Sequence, residues 1–184
     1  MKRIVMAVLG LLAFAGTARA QTDAELIERA LSAAPERFRA DAMVVKWNAD
    51  HTYTVIKEGS NNWVCYDHSG AVGEQPFAVQ CTHPGNLDRV AQNFRLEAQA
   101  NGDREELQRL LAAAEADGTR VKPVYGSVFI SRNGPDAASA RTHMTIAVPG
   151  ATEASTGLPE SGRAGAAWIM NAGTSTAHIM VPGS

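Results

Sequence analysis

The chain has 184 residues, of which 45% are hydrophobic and 20% charged, and its formal net charge is −2. These fractions lie near globular averages and exclude collagen-like, coiled-coil and wholly disordered organisation, while the length suits one domain that removes about two-thirds of its unfolded surface from water. Lys2, Arg3 and Arg19 are 3 of the 17 basic residues, so residues 21–184 carry 14 basic against 19 acidic side chains, a balance of −5. Because the arginines are also spread singly, the clustered basic surface that nucleic-acid binding requires is excluded.

The first twenty residues have the three parts of a secretion signal. Lys2 and Arg3 precede the apolar run Ile4 to Ala15, and Ala18-Arg19-Ala20 has the A-x-A cleavage form. The run is too short to span a bilayer as a helix, and no later stretch is longer, so the sequence predicts cleavage after Ala20, no transmembrane anchor in the mature protein, and a periplasmic or secreted product. Gln21 follows the predicted cut where a lipoprotein would carry cysteine. Residues 21–184 are then expected to form a single α+β domain.

Helical spacing comes first. Thr22 and Glu25 have the form of a capping box, and Ile27, Ala30, Leu31 and Ala34 recur on one face until Pro35. Met43 to Trp47 and Thr52 to Lys57 flank Asn48-Ala49-Asp50-His51 as a predicted hairpin, and Trp63 to Tyr66 adds a third strand.

Cys65 and Cys81 are the only cysteines. In an oxidising compartment an isolated pair is most simply a disulfide, here closing a loop of about 15 residues that would stabilise the fold by about 3 kcal/mol. The competing set Cys65, His68, Cys81 and His83 has Cys2His2 composition. The single residue between Cys81 and His83 departs from common structural-zinc spacings, so compartment and spacing both favour the disulfide.

Two more amphipathic segments follow. Leu87, Val90, Ala91, Phe94 and Ala98 form a stripe that stops at Asn101-Gly102. Asp103 and Glu106 then open a helix bearing Leu107, Leu110, Leu111 and Ala114. The pair reads as a helical hairpin whose Glu, Gln and Arg residues cover solvated faces. Later strands are predicted at Ser127 to Ser131, His143 to Val148, Ala167 to Met170 and Ala177 to Val181. Pro149 to Gly165, rich in Gly, Ser, Thr and Ala, is expected to be a long mobile loop. The resulting fold class is α+β: an antiparallel β-sheet with an N-terminal helix and a helical hairpin packed on it.

His143-Met144 through Pro149 and His178-Ile179-Met180-Val181-Pro182 are two apolar strands, each opened by His and closed by Pro. Soft Met sulfur with His nitrogen suits copper, and zinc is the other candidate, so His143, His178 and Met180 form a candidate metal set. Strand alternation places His178 and Met180 on one face but His143 and Met144 on opposite faces. Met as core filler and His as a strand-end hydrogen-bonding residue account for the same pattern without a metal, and that structural role is favoured.

Among common catalytic signatures, G-x-S-x-G, H-E-x-x-H, the P-loop, C-x-x-C and G-x-G-x-x-G are absent. His143 or His178 could act as a base with Ser127, Ser131 or Ser175 and Asp136, although such a combination is common by chance. Trp47, Trp63 and Trp168 suit either a ligand pocket or the core.

Glu58-Gly59-Ser60-Asn61-Asn62-Trp63-Val64-Cys65, together with His143-Met144 and Ala177-His178-Ile179-Met180-Val181-Pro182, resembles a group of uncharacterised exported bacterial proteins. That group carries E-G-x-N-x-W-x-C, H-x-M and C-terminal A-H-x-M-V-P motifs. The resemblance spans the chain from about Asp41 onward and implies export but no activity. It departs from the group at His143-Met144, where the H-x-M spacing is missing, and in the linker between the cysteines.

Two function classes follow. The first is an exported envelope protein that binds a small ligand, metal or envelope partner without catalysis, through the strand ends near His143 and His178 and the Gly-rich loop. The second is a hydrolase-like enzyme with one of those histidines as general base and Pro149 to Gly165 as a lid.

Overall fold

The computed structural model describes residues 21–181, so the predicted leader and Pro182 lie outside the described residues. In chain order the elements are α1 (Asp23–Leu31), β1 (Met43–Trp47), β2 (Tyr53–Lys57), β3 (Val64–Asp67), β4 (Phe77–Thr82), α2 (Leu87–Ala100), α3 (Arg104–Ala116), β5 (Val128–Gly134), β6 (Arg141–Ala147), α4 (Glu153–Thr156), β7 (Trp168–Met170) and β8 (His178–Met180). All eight strands join one sheet in the order β2-β1-β3-β4-β5-β6-β8-β7. The fold is α+β, and among the described residues no helix is long and apolar enough to cross a membrane.

Local signals place the helices. Thr22 and Glu25 close the capping box of α1. Asn101, at φ 48°, ends α2 in the left-handed region, and the Asp103 carboxylate accepts from the Glu105 and Glu106 amides to start α3. The apolar stripe of α1 packs on one sheet face, where Ala30, Ala33 and Ala34 meet Val44, Cys65, Phe77, Val79 and Cys81. The stripe of α2 packs on the other face, where Leu87 and Val90 meet Val45, Val64 and Tyr66, with Trp47, Phe94 and Phe129 at the margin. Helix α3 lies outside α2 and buries no residue fully, so its leucines are only half-covered.

One pairing departs from the antiparallel expectation: β1 and β3 are parallel. Strand β2 occupies one side of β1, so the chain must pass around the start of β1 and enter β3 on its other side. It does so in residues 58–63. The Ser60 and Asn61 amides donate to the Asp41 carbonyl, Asn61 Nδ2 donates to the Phe38 carbonyl at 2.8 Å, and the Trp63 ring stacks on Phe38. A Cβ on Gly59 would sit 2.2 Å from the Met43 nitrogen, so the backbone approach itself demands glycine. The E-G-x-N-x-W-x-C stretch is thus the brace of this crossing.

The crossing sets the register that places Cys65 directly opposite Cys81 on β3 and β4, and the two form a buried disulfide. His68 and His83 lie elsewhere in the contact network: His68 Nδ1 is 3.4 Å from Glu74 Oε1, and His83 Nδ1 accepts from the Gly85 amide. Strand β4 has no counterpart in the sequence-based expectation. Phe77 to Thr82 is buried on nearly every residue, so both faces are covered and the alternation that marks a half-exposed strand is lost. Residues 149–165 also differ from the expected loop. Thr152 and Ser155 form a capping box for α4, Gly157 ends it at φ 69°, and the Gly150 amide donates to the Thr174 carbonyl, tying the segment to the body.

Gly59→Ala is expected to lower unfolding free energy by about 1–3 kcal/mol or more in urea titrations, because the clash is with backbone that has nowhere to move. Reduction of Cys65–Cys81 is expected to lower it by about 3 kcal/mol under the same measurement.

Candidate functional site

Helix α2 roofs the β1, β3 and β4 half of the sheet and leaves the β6 and β8 end only partly covered. A cleft of about 560 Å³ opens there between α2, α3 and the strand β8, lined by Arg89, Glu115, Arg120, Thr174, Thr176 and His178 among others. A smaller hollow of about 180 Å³ shares Arg89, Thr176 and His178 with it and runs down to Gln80, Phe129 and Thr145 on the sheet. The larger volume lies within the range of small-molecule sites.

Two arginines dominate the wall. Arg120 is 6% exposed, although it follows the end of α3 in a segment that reads as surface. Its Nη1 donates to Gln92 Oε1 at 2.6 Å and its Nη2 to Asn93 Oδ1, while its Nε is buried without a partner. Arg89 donates from Nη1 to the Val121 carbonyl. Among the described residues neither guanidinium has a carboxylate within ion-pair distance. Burial, with the charge of Arg120 adding, pushes Arg89 down to about 10, and burial lowers Arg120 as well. Both still carry their charge at neutral pH.

Glu115 is the carboxylate of the cleft, but its oxygens are occupied. The Ser175 amide donates to Oε1 at 2.6 Å and the Ser175 hydroxyl donates to Oε2. These bonds, the hydroxyl's first, hold Glu115 below the usual carboxylate range, and they tether α3 to the turn before β8. In that turn Thr174 Oγ1 donates to the Asn171 carbonyl at 2.8 Å and accepts from the Thr176 amide. His178 Nδ1 is 2.8 Å from the Thr176 carbonyl, which can only accept, so Nδ1 carries the proton and Nε2 is the ring's acceptor nitrogen.

The other sequence candidates fall as follows. The β6–β8 register pairs His178 with Ala147 and Met180 with Thr145, and His143, exposed, lies four residues before Ala147. His143, Met180 and His178 therefore share one sheet face, but His143 and His178 are about 13 Å apart along the strands, and Met180 sits between them. One shared ion would need both within about 2 Å of it. Among the described residues no group of three or more His, Cys, Asp or Glu could hold a metal. Ser131 pairs with His143, whereas Ser127 Oγ donates to the Val124 carbonyl, Ser175 binds Glu115 and Asp136 accepts from Ser139. Residues 149–165 line neither the cleft nor its extension.

His178 is the sequence candidate that falls in the cleft. Arg89 and Glu115, residues of the helical hairpin assigned to solvated faces, instead line it, and Gln92, assigned likewise, joins Asn93 in holding Arg120. Arg120 gave no sequence signal, since its burial comes from the 117–124 segment folding over α2, where the Val121 amide donates to Gln92 Oε1 at 2.9 Å. Compared with family models, curated proteins and solved structures, the chain gives no match.

The Glu115 tether carries a pH dependence. A carboxyl held low in the folded state stabilises above its unfolded value, and that contribution disappears as pH falls through the folded value. Wild type is expected to exceed Glu115→Gln by no more than about 1 kcal/mol at neutral pH, the side chain being largely solvent-screened. In thermal melts taken across pH the two proteins should converge at the acidic end.

Proposed function

We propose that the protein is an exported envelope protein that binds a small anionic ligand in the cleft between α2, α3 and β8. The observation that carries this reading is the pair Arg89, half-buried, and Arg120, buried, which share a cleft and, among the described residues, have no carboxylate in ion-pair contact. An uncompensated buried charge is costly, and an anion entering the cleft would offset it. The guanidinium N–H groups not engaged by Gln92, Asn93 and Val121, with the Asn171 carboxamide, suit the oxygens of a phosphate, sulfate or carboxylate. Export rests on the leader-like first twenty residues, and the disulfide is in keeping with an oxidising compartment.

The test is calorimetric titration of the full mature chain with inorganic phosphate, sulfate and citrate at constant ionic strength. Saturable binding is expected for at least one anion and should weaken as NaCl rises. Arg89→Met and Arg120→Met are each expected to weaken it by about tenfold or more, the worth of a charged hydrogen bond. Equal binding in both variants, or none in wild type, would remove the anion reading.

One observation favours a second reading. The Thr176 carbonyl fixes His178 with Nε2 as its acceptor nitrogen in the same cleft as the arginines, the arrangement of a general base beside an anionic substrate. Hydrolysis of p-nitrophenyl phosphate or p-nitrophenyl sulfate that vanishes in His178→Ala, with anion binding kept, would establish the enzyme. Binding without turnover would leave the protein a binder.

A further inference from the structure

A second cavity lies at the other end of α2, on the same sheet face but far along the helix from Arg89. It measures about 370 Å³ and is enclosed by the β1–β2 loop, the loop after β3 and the second half of α2, with Trp47, His51, His68, Val72, Phe94 and Glu97 on its wall. Its polarity is opposite to that of the arginine cleft.

Aromatic rings form one side. Trp47 and Phe94 stand perpendicular at 5.1 Å between centroids, and His68 lies 5.9 Å from Phe94. Tyr66 packs behind them, edge-on to Trp47 at 5.7 Å, its hydroxyl donating to Gln80. Aromatic rings carry negative faces that attract cations.

The acidic groups divide into occupied and unoccupied. Asp67 is held by Arg29 at 2.6 Å and accepts from the Ser69 amide. Glu74, just outside, faces His68 at 3.4 Å. Glu97 is half-buried, and among the described residues it has neither a hydrogen bond to its carboxylate nor an ion pair. Burial, with the neighbouring charge of Glu74 adding, pushes Glu97 above the usual carboxylate range, a strain that a cation in the cavity would relieve.

A second observation converges on the same place. The Trp47 indole N–H and His68 Nε2 are buried without a hydrogen-bond partner, while His68 Nδ1 meets Glu74 Oε1 at 3.4 Å. Unsatisfied buried polar groups of this kind are rare, and the indole N–H calls for an acceptor, which an occupant's hydroxyl would supply and its ammonium would not.

The chemistry narrows the occupant. A metal ion needs several donors converging, and among the described residues no such group of His, Cys, Asp or Glu exists. A primary ammonium brings three N–H donors and would want three acceptors, whereas the wall is mainly apolar and Glu97 is the carboxylate on it that is not already engaged. An alkylated ammonium needs no acceptors, only negative ring faces, apolar contact and one opposing charge. We propose that this cavity is a separate binding site for a small alkylated ammonium ion, held by Trp47 and Phe94 with Glu97 as its counter-charge.

The probe is choline, against 3,3-dimethylbutan-1-ol, its uncharged isostere, and methylammonium, its donor-bearing counterpart, each titrated into the full mature chain at equal NaCl. Saturation transfer to the ligand methyl signals and calorimetry give the readout. Choline is expected to bind saturably and about tenfold or more tighter than either comparison ligand, the worth of a partly desolvated cation–π contact plus one opposing charge. Glu97→Gln, whose fold is checked by its melting temperature, is expected to erase the preference for choline over the neutral alcohol. Trp47→Leu is expected to weaken choline itself. No saturable choline binding, equal binding of choline and its isostere, tighter binding of methylammonium, or an unchanged preference in Glu97→Gln would each overturn the proposal.

Discussion

The short crossing around the start of β1 is the constraint on which the rest of the sheet depends. Residues 58–63 must carry the chain from one side of β1 to the other while passing against the Asp41–Met43 backbone, and only a residue without a side chain clears the Met43 nitrogen. Once Gly59 makes that approach, Asn61 and Trp63 are fixed on Phe38, β3 enters parallel to β1, and Cys65 arrives opposite Cys81. The disulfide then locks β3 to β4, with both cysteines in the core under α1. A different path from β2 would place β3 on the outer edge, and neither helix would find the two-sided apolar surface it packs on.

That surface explains where the cavities lie. Helix α2 has one apolar stripe and uses it on β1 and β3, so its flanks overhang rather than seal the sheet. Helix α3 leans on α2 and is tied to the turn before β8 by Glu115, and its half-covered leucines fall at the rims: Leu111 borders the arginine cleft and Leu107 a smaller hollow next to Glu97. The same helix therefore bounds a basic site with Arg89 near its start and an acidic, aromatic one with Glu97 near its end. The Coulomb interaction of Arg120 with Glu97 links the two only weakly across that length.

Local chemistry was legible in the sequence wherever a few neighbouring residues decide the structure. The Thr22–Glu25 box, the Asn101-Gly102 stop, the Asp103 start and the first hairpin all depend on contacts within four or five residues. Long-range burial was not legible. Phe77 to Thr82 lacks alternation because both its faces are covered, and residues 149–165 look mobile by composition while Thr152, Ser155 and Gly157 cap a helix within them. Arg120 is the sharpest case, since a lone arginine after a helix stop has the pattern of a surface residue. His178 was visible as a histidine opening an apolar strand, but the arginines that give it a setting were not. The Glu58–Cys65 stretch was the most distinctive motif, yet its distinctiveness reflects the geometry of a backbone crossing rather than a reaction.

The partners of Arg120 bear on what the cleft is for. A guanidinium held only to fix a turn would be most economically matched by a carboxylate, which neutralises the charge as it hydrogen-bonds. Here the matching groups are the carboxamides of Gln92 and Asn93, and the nearby carboxylate, Glu115, is turned to Ser175. Carboxamides orient the guanidinium plane without cancelling its charge, so the field of the cation persists into the cleft at low dielectric, where it acts most strongly. Neutral positioning of a buried cation costs stability relative to an ion pair. What it retains is a charge at the wall of an open volume that no ion pair cancels, and the proposed anion site rests on that property.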